Sequence, residues 1–219
     1  MYLLDPLLRI QSSSYSDTIT ILVGKDEQRF TVHKDIICEK SELFQAACSQ
    51  RRREEQEMAV RLPDLRAPYM FPVYMDWVYT DDMTLDKMGF LLDGFYVGRE
   101  LVELYLLGDV LKDVKLRNKV LRLLYRHLNV DKTTLTTEQC HTVWEHTASD
   151  SSIRKMVVDH IATTMTPASF RECRAELPAE LALEITLMFM ERYFNQDDGP
   201  DTKAFEWRLE SYMETANGV

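Results

Sequence analysis

Imidazole and thiol side chains that could bind a metal ion lie close together at two places in the sequence. Cys140, His141 and His146 fall on a predicted helix, but His141 and His146 are five residues apart. They therefore face different directions, whereas ligands on one helix are typically three or four residues apart. His33 has only Cys38 nearby, and a tetrahedral site needs four ligands. We expect no metal site, and we expect His33 to be packed and hydrogen-bonded.

Motifs for nucleophilic or phosphate chemistry are absent from the sequence. There is no G-x-S-x-G, no P-loop and no H-E-x-x-H. Gly89, Gly94 and Gly98 lack the Lys-Ser/Thr that a phosphate-binding loop requires. Spacing identifies no catalytic pair of carboxylates either. The sequence therefore predicts no enzyme activity, no cofactor and no small-molecule substrate.

Composition sets further bounds on the function. The 219 residues could form one domain or a domain with an extension, and 45% apolar residues suffice for a sizeable core. A net charge of −10 argues against nucleic-acid binding, which needs clustered Lys and Arg. The four cysteines show no framework spacing, and we expect neither a signal segment nor a membrane span. A reducing intracellular compartment, cytoplasmic or nuclear, fits best.

The elements that position these residues begin with a hairpin. Thr18 to Val23 alternates as a strand with Ile19, Ile21 and Val23 on one face, and Gly24-Lys25-Asp26 predicts a turn into a second strand, Gln28 to Val32. Two short helices follow, with Ser41 placed to accept hydrogen bonds at the start of the second. Met58 to Leu62 predicts a third strand, so this part of the chain is predicted to be a compact α+β unit.

Helices are predicted for most of the remaining chain. One face of a helix is formed by Met70, Val73, Tyr74, Trp77 and Val78, and Pro72 predicts a late start or a kink. The segment between Asp81 and Gly98 is predicted to carry an apolar cluster on a short helix. Two later helices, Glu100 to Leu111 and Val114 to Leu128, are predicted to be apolar on most sides and are separated by Lys112-Asp113. Four further helices are predicted after them: Glu138 to His146, Ser152 to Met165, Ala179 to Phe194 and Lys203 to Met213. Ser151 or Ser152 can cap the helix at 152, Pro178 suits the first turn of the helix at 179, and an apolar stripe is formed by Leu181, Ile185, Met188 and Phe189.

Four motifs in this order resemble the BTB/POZ domain family. They are Ser16-Asp17 before the first strand, Phe30-x-Val32-His33-Lys34, Ser41-x-x-Phe44 and Trp77-Val78-Tyr79-Thr80. The resemblance implies an α+β BTB/POZ fold, a small mixed sheet flanked by a helical cluster, followed by an all-α C-terminal extension. We expect an N-terminal arm at 1–16, the BTB/POZ domain at 17–128 and the extension at 129–219. The segment 143–158 resembles the C-terminal extension of stand-alone BTB proteins of filamentous fungi.

The resemblance implies a homodimer. In the family, an N-terminal arm often packs across the dimer partner, and the arm here has an apolar helical face formed by Leu3, Leu4, Leu7, Leu8 and Ile10. The alternative is that this helix lies on its own domain. An acidic and a basic residue line a charged pocket at the family's dimer centre, and Asp17 and Lys34 match them. A charge near an apolar core needs a partner, which favours a pair; otherwise Asp17 only caps the strand entry and Lys34 is solvated.

A charged run, QRRREEQE at 50–57, follows the second helix. Such a run is usually a solvated loop or helix end. In family members that bind a cullin scaffold of ubiquitin ligases, an apolar-x-Glu motif falls here, and Arg52, Arg53 and Glu54 align with it. Glu54 keeps the glutamate, but arginine replaces the apolar residue. The predicted function is a protein-interaction module, in its strongest version a cullin-ligase substrate adaptor; the alternative is a purely structural homo-oligomer.

Overall fold

The computed structural model describes residues 17–50, 59–84, 97–194 and 209–215. Within these residues the chain forms two compact units. The first unit contains the sheet, the helices up to residue 80 and residues 107–113; the second contains residues 97–106 and the helices from residue 114 onward. The domain boundary after residue 128 stays a prediction. Among the described residues, no helix is both long enough and apolar enough to cross a membrane.

The first unit is built on a small mixed sheet. Its strands are β1 (Thr18–Val23), β2 (Gln28–His33) and β3 (Ala59–Leu62), in the order β2-β1-β3. β1 pairs with β2 antiparallel and with β3 parallel. Ile19, Ile21 and Val23 are buried as the alternation predicted, and Gly24 begins the turn with a φ of 73°. The predicted combination of a small mixed sheet with helices is confirmed.

Two short helices, α1 (Lys34–Lys40) and α2 (Glu42–Gln50), follow the hairpin. Ser41 separates them and is buried. Its Oγ accepts a hydrogen bond from the backbone N–H of Phe44, at 3.3 Å, and donates one to the carbonyl of Leu111, at 2.5 Å. The predicted capping role of Ser41 is confirmed, and the hydroxyl also holds this turn against residues 107–113.

Helix α3 (Phe71–Thr80) begins later than its apolar pattern, as the position of Pro72 predicted. A 3₁₀ turn, Pro68–Met70, precedes it, so that Pro72 lies in the first turn, where no backbone N–H is needed. Met70, Tyr74, Trp77 and Val78 are buried as predicted, and Phe71 is also buried. The indole Nε1 of Trp77 donates a hydrogen bond to the fully buried carboxylate of Asp113, at 3.1 Å.

Two longer helices, α4 (Val97–Leu111) and α5 (Val114–Asn129), are separated by Lys112 and Asp113, as predicted. Lys112 has a φ of 56°, which ends α4. Most of α4 is buried, in agreement with its composition. The prediction was wrong for α5, which is amphipathic: Lys115, Arg122 and Arg126 are exposed opposite the buried leucines.

The helices of the C-terminal part are α6 (Thr137–His146), α7 (Ser152–Thr164), α8 (Pro167–Cys173) and α9 (Ala179–Phe194). The sequence prediction missed α8, although Thr166, whose Oγ1 accepts from the backbone N–H of Ser169, and Pro167 form a typical helix start. Leu209–Tyr212 is a 3₁₀ turn and not part of a longer α-helix in the described residues.

Capping and burial in these helices differ in part from the sequence predictions. Ser151 lies at the N-cap of α7, but its side chain makes no capping hydrogen bond. The capping box is found instead at α6, where Thr136 and Gln139 bond each other's backbone N–H groups. In α9, Leu181 and Ile185 of the predicted apolar stripe are buried, whereas Phe189 is 49% exposed, so the stripe is buried only at its start. Pro178 comes directly before α9, and its carbonyl accepts from Ala182.

Within the second unit, the segment 209–215 is held in place largely by Glu214. Its carboxylate accepts a hydrogen bond from the hydroxyl of Tyr105, at 2.5 Å, and lies 2.9 Å from Nε of Arg117. The amide of Asn118 exchanges two 2.7 Å hydrogen bonds with the backbone of Glu214. The hydroxyl of Tyr212 donates to Asp159, at 2.6 Å. These contacts dock the segment 209–215 as part of the fold.

We expect the free energy of unfolding to decrease between pH 7 and pH 5 because of His160. This side chain is 1% exposed, and burial, reinforced by nearby His127, lowers the pKa of His160 to about 4. The unfolded chain therefore binds a proton near pH 6.5 that the folded chain does not bind until about pH 4, so stability decreases across this interval by roughly 2 kcal/mol at pH 5. Urea unfolding at both pH values measures the loss. His160→Gln should remove most of the pH dependence; an unchanged slope in that variant would contradict the assignment.

Candidate interaction surface

The predicted charged residues lie where the hairpin strands meet the first helix. Because β1 and β2 are antiparallel with Thr18 opposite His33, Asp17 at the start of β1 lies beside Lys34 at the start of α1. The backbone N–H of Lys34 donates to the carbonyl of Asp17, at 2.9 Å. The structure therefore brings the two predicted residues together through their backbones.

The side chains of this pair remain available for other partners. Asp17 is exposed and Lys34 half-buried, and within the described part of one chain no ion pair joins the Asp17 carboxylate to the Lys34 ammonium. A desolvated pair inside one chain is thus not formed. A pairing between two copies of the chain stays a prediction.

His33 and Tyr79 complete this corner, which we call the strand-end corner (Asp17, His33, Lys34 and Tyr79). The Tyr79 hydroxyl lies 3.0 Å from Nδ1 of His33 and accepts from the His33 backbone N–H, at 3.2 Å. The two rings meet edge to face, with centroids 5.8 Å apart. The prediction of a packed, hydrogen-bonded His33 is confirmed. Tyr79 is 47% exposed, so it presents part of an aromatic ring to solvent.

The C-terminal end of α1 is held to the C-terminal end of α3, where Tyr79 also lies. The Lys40 ammonium, whose side chain is only 6% exposed, forms an ion pair with Asp81. It also lies 5.4 Å from the ring centroid of Trp77. Asp81 ends α3 in the left-handed conformation, with a φ of 54°. Both ends of α1 are therefore held against the end of α3, which keeps the strand-end corner in a fixed geometry.

An acid, a base, an imidazole and an exposed phenol in a rigid corner can form hydrogen bonds and ion pairs with another protein. Such groups provide specificity and orientation at an interface. The corner contains the two charged residues singled out in the sequence, while its aromatic member, Tyr79, was part of a motif but was not predicted to contact His33.

Several other predicted residues are not among those that the structure describes. The arm residues Leu3, Leu4, Leu7, Leu8 and Ile10 and the cullin-facing candidates Arg52, Arg53 and Glu54 lie outside the described residues. The predicted apolar cluster between Asp81 and Gly98 also falls largely outside them. All three groups stay predictions.

Among the side chains first considered as metal ligands, His141 has a protein partner and Cys140 is buried. Nε2 of His141 lies 2.8 Å from the carbonyl of Glu176, and burial raises the pKa of Cys140 to about 12. Across residues 17–50, 59–84, 97–194 and 209–215, no group of three or more His, Cys, Asp or Glu side chains is arranged to hold a metal ion.

One close contact was not foreseen from the sequence. The thiols of Cys38 in α1 and Cys48 in α2 lie 2.8 Å apart. Ten residues separate them, and only the sharp break at Ser41 between the two helices brings them together. No local sequence pattern indicates that these two thiols are close. Predicting the contact would have required knowing how the two short helices pack against each other.

Comparison with known protein families gives a match over the first part of the chain. The model of the BTB/POZ domain family matches residues 9–127, which is more than half of the chain. The matched region contains the sheet, α1 to α4 and almost all of α5, together with the strand-end corner. No curated protein matches the chain.

Proposed function

Because the chain belongs to the BTB/POZ domain family, whose domains are protein-interaction modules and generally non-enzymatic, we propose that it homodimerises and that the dimer presents a surface to a partner protein. The observation that carries the proposal is the strand-end corner. Its acidic and basic residues, Asp17 and Lys34, are joined through their backbones, yet no ion pair joins their side chains within the described part of one chain. A second copy can supply the opposite charge for each of them.

The proposal also assigns the N-terminal arm to the dimer. Leu3, Leu7 and Ile10 form one apolar helical face, widened by Leu4 and Leu8, and burial of such a face against a second copy stabilises association. Association through the charged corner alone would be weak, because exposed ion pairs contribute only about 0–1 kcal/mol. The apolar arm supplies affinity, and the corner supplies orientation.

Charge reversal tests the role of the corner. Asp17→Lys and Lys34→Asp should each weaken the dimer roughly tenfold or more, because each places like charges together at the interface. The double variant Asp17→Lys/Lys34→Asp should recover most of the affinity. Asp26→Lys, an exposed acidic residue in the hairpin turn, is the matched control. Sedimentation equilibrium measures the dissociation constants of the unmodified chain and of these four variants.

The outcome separates the corner from general charge effects. Equal weakening by the reversals at residues 17, 34 and 26 would contradict a specific contact, as would a double variant no better than the single ones. Deletion of residues 1–12 should weaken the dimer independently of the charge reversals.

A cullin-ligase adaptor is the second candidate function, favoured by Glu54 in the family's cullin-binding position. In this version, the helices after residue 128 hold the substrate. The resemblance of residues 143–158 to the C-terminal extension of fungal stand-alone BTB proteins is part of the same proposal. Arg52 and Arg53 argue against a strong contact. A guanidinium in a groove that accepts an apolar side chain is desolvated without an acceptor, at a cost of several kcal/mol.

We expect this chain to bind a cullin N-terminal domain weakly or not at all. Losing one buried anchor of about 3 kcal/mol lowers affinity roughly a hundredfold. Arg52→Met or Arg53→Met should strengthen the binding, whereas Lys25→Met in the exposed hairpin turn should not. Isothermal titration calorimetry with the purified cullin domain measures the affinities of the unmodified chain and of these three variants. Sub-micromolar binding by the unmodified chain would contradict the expectation and establish the adaptor function as the first candidate.

A purely structural homo-oligomer would dimerise without recruiting anything else. Affinity purification of the expressed chain followed by mass spectrometry distinguishes this alternative. A recurrent partner that is lost from the Asp17→Lys variant supports a partner-presenting dimer, whereas recovery of the chain alone supports the structural alternative.

A further inference from the structure

The thiols of Cys38 and Cys48 form the closest approach of two nucleophilic side chains in the described part of the protein. Cys38 lies two residues before the end of α1, and Cys48 lies in the last turn of α2. Their sulfur atoms are 2.8 Å apart, and both side chains are half-buried and unoxidised. Cys140 is buried and Cys173 contacts Met165, so neither is placed in this way.

We propose that Cys38 and Cys48 are a dithiol that is reversibly oxidised to an intramolecular disulfide by a low-molecular-weight disulfide such as oxidised glutathione. The two sulfurs must approach by less than 1 Å to reach the ~2.05 Å of a disulfide bond. The rotation needed is small because the two helices are already packed against each other around Ser41, whose hydroxyl is bonded on both sides.

Oxidation by a disulfide takes two steps, and the surroundings of the two thiols determine which thiol reacts first. Burial, and next the hydrogen bond that Cys38 donates to Cys48, raises the pKa of Cys38 to about 12, so Cys38 is held as a protonated thiol. Cys48 is therefore the first nucleophile. Its thiolate attacks one sulfur of oxidised glutathione, which forms a Cys48–glutathione mixed disulfide and releases one glutathione thiolate.

Capping Cys48 in this way removes two of the influences that keep Cys38 protonated. The hydrogen bond and the charge of Cys48 no longer act on it, while the positive charge of Lys34 continues to favour its thiolate. Cys38 then attacks Cys48 Sγ, the Cys38–Cys48 bond forms, and a second glutathione leaves. Two protein thiols are oxidised, one glutathione disulfide is reduced, and the two protons end on the two glutathione thiols.

The half-buried position makes this pair selective. A small disulfide can reach Cys48, but a second protein chain has less access to a sulfur at the junction of two helices. Closing a loop of this length should also stabilise the oxidised chain, since a disulfide reduces the conformational entropy of the unfolded state. The site does not depend on the proposed dimer.

Trypsin digestion makes the test direct, because Lys40 lies between the two cysteines. Cleavage after Lys34, Lys40 and Arg51 gives one peptide with Cys38, residues 35–40, and one with Cys48, residues 41–51. The full chain is equilibrated in glutathione buffers of increasing oxidised fraction, quenched with acid, alkylated and analysed by mass spectrometry. We expect the two peptides to appear joined by a disulfide, with Cys140 and Cys173 alkylated, and the linkage to disappear when reduced glutathione is restored.

Single substitutions separate the two steps. Cys38→Ser should stop at the mixed disulfide on Cys48, and Cys48→Ser should leave Cys38 largely alkylated because it is the poorer first nucleophile. Cys173→Ser is the matched control and should oxidise as the unmodified chain does. Complete alkylation of Cys38 and Cys48 in the most oxidising buffer would overturn the proposal, and so would linkage of either residue mainly to a different cysteine. The unmodified chain alone decides between these outcomes, even where a variant folds poorly.

Discussion

Replacing Arg154 with alanine is expected to lower the free energy of unfolding by on the order of 3–5 kcal/mol, the largest effect we predict for a single substitution. Arg154 in α7 is only 5% exposed. Its guanidinium donates to the carbonyls of Trp144 and Thr147, at 2.5 and 2.7 Å, and to Oγ1 of Thr147, at 3.1 Å. The ion pair with Glu180 contributes less, because the Glu180 side chain is 72% exposed.

The expected loss of stability follows from the groups that Arg154→Ala would leave without a partner. Two carbonyls at the end of α6 would be left without their donor in a buried region, and the guanidinium would no longer cover the Trp144 ring, whose centroid is 5.2 Å from Cζ. Arg154 therefore fastens the last turn of α6 to α7, and the helices of the second unit depend on it.

Urea unfolding followed by tryptophan fluorescence and circular dichroism measures this effect. Arg154→Lys is expected to recover only part of the stability, because an ammonium cannot reproduce the planar arrangement of guanidinium donors. Arg171→Ala, an exposed arginine in α8, is the matched control and should change stability by less than about 0.5 kcal/mol. A loss below about 1 kcal/mol for Arg154→Ala would show that these bonds do not hold α6 to α7.

Asp113→Ala is expected to give the second-largest loss, about 3 kcal/mol. The carboxylate is completely buried and accepts the indole N–H of Trp77, at 3.1 Å. Truncation leaves that N–H without its acceptor in a core that also contains Tyr74. Burial raises the pKa of Tyr74, and the negative charge of nearby Asp113 raises it further.

The conservative variant separates hydrogen bonding from charge. Asp113→Asn keeps an acceptor for Trp77 and should lose clearly less stability than Asp113→Ala. Glu39→Ala, an exposed carboxylate in α1, should lie within about 0.5 kcal/mol of the unmodified chain. Equal losses for the Asn and Ala variants would mean that the carboxylate contributes through its charge, and a loss as small as that of Glu39→Ala would refute the buried contact.

Local periodicity predicted most of the first unit. The alternation in β1 and the helical spacing in α3 each report directly which face is buried, since both patterns repeat within a few residues. Pro72 predicted the late start of α3 for the same reason, because the constraint of a proline is local. The amphipathic character of α5 was misjudged, because leucines spread over its sequence hid the regular exposure of Lys115, Arg122 and Arg126.

Contacts between distant residues could not be predicted in this way. The burial of Arg154 depends on carbonyls at the end of another helix, and the approach of Cys38 to Cys48 depends on the angle between α1 and α2. The partner of His33, Tyr79, lies 46 residues away in the sequence. One sequence carries no record of such pairings. The start of α8 was a different kind of omission, since Thr166 and Pro167 signalled it locally.

The central claim, that the chain acts as a homodimer, is tested most directly by sedimentation velocity of the unmodified chain at low micromolar concentration. The account predicts one main species with twice the mass of the chain, and a shift toward the monomer for the chain lacking residues 1–12. A monomer at every concentration examined would contradict the account.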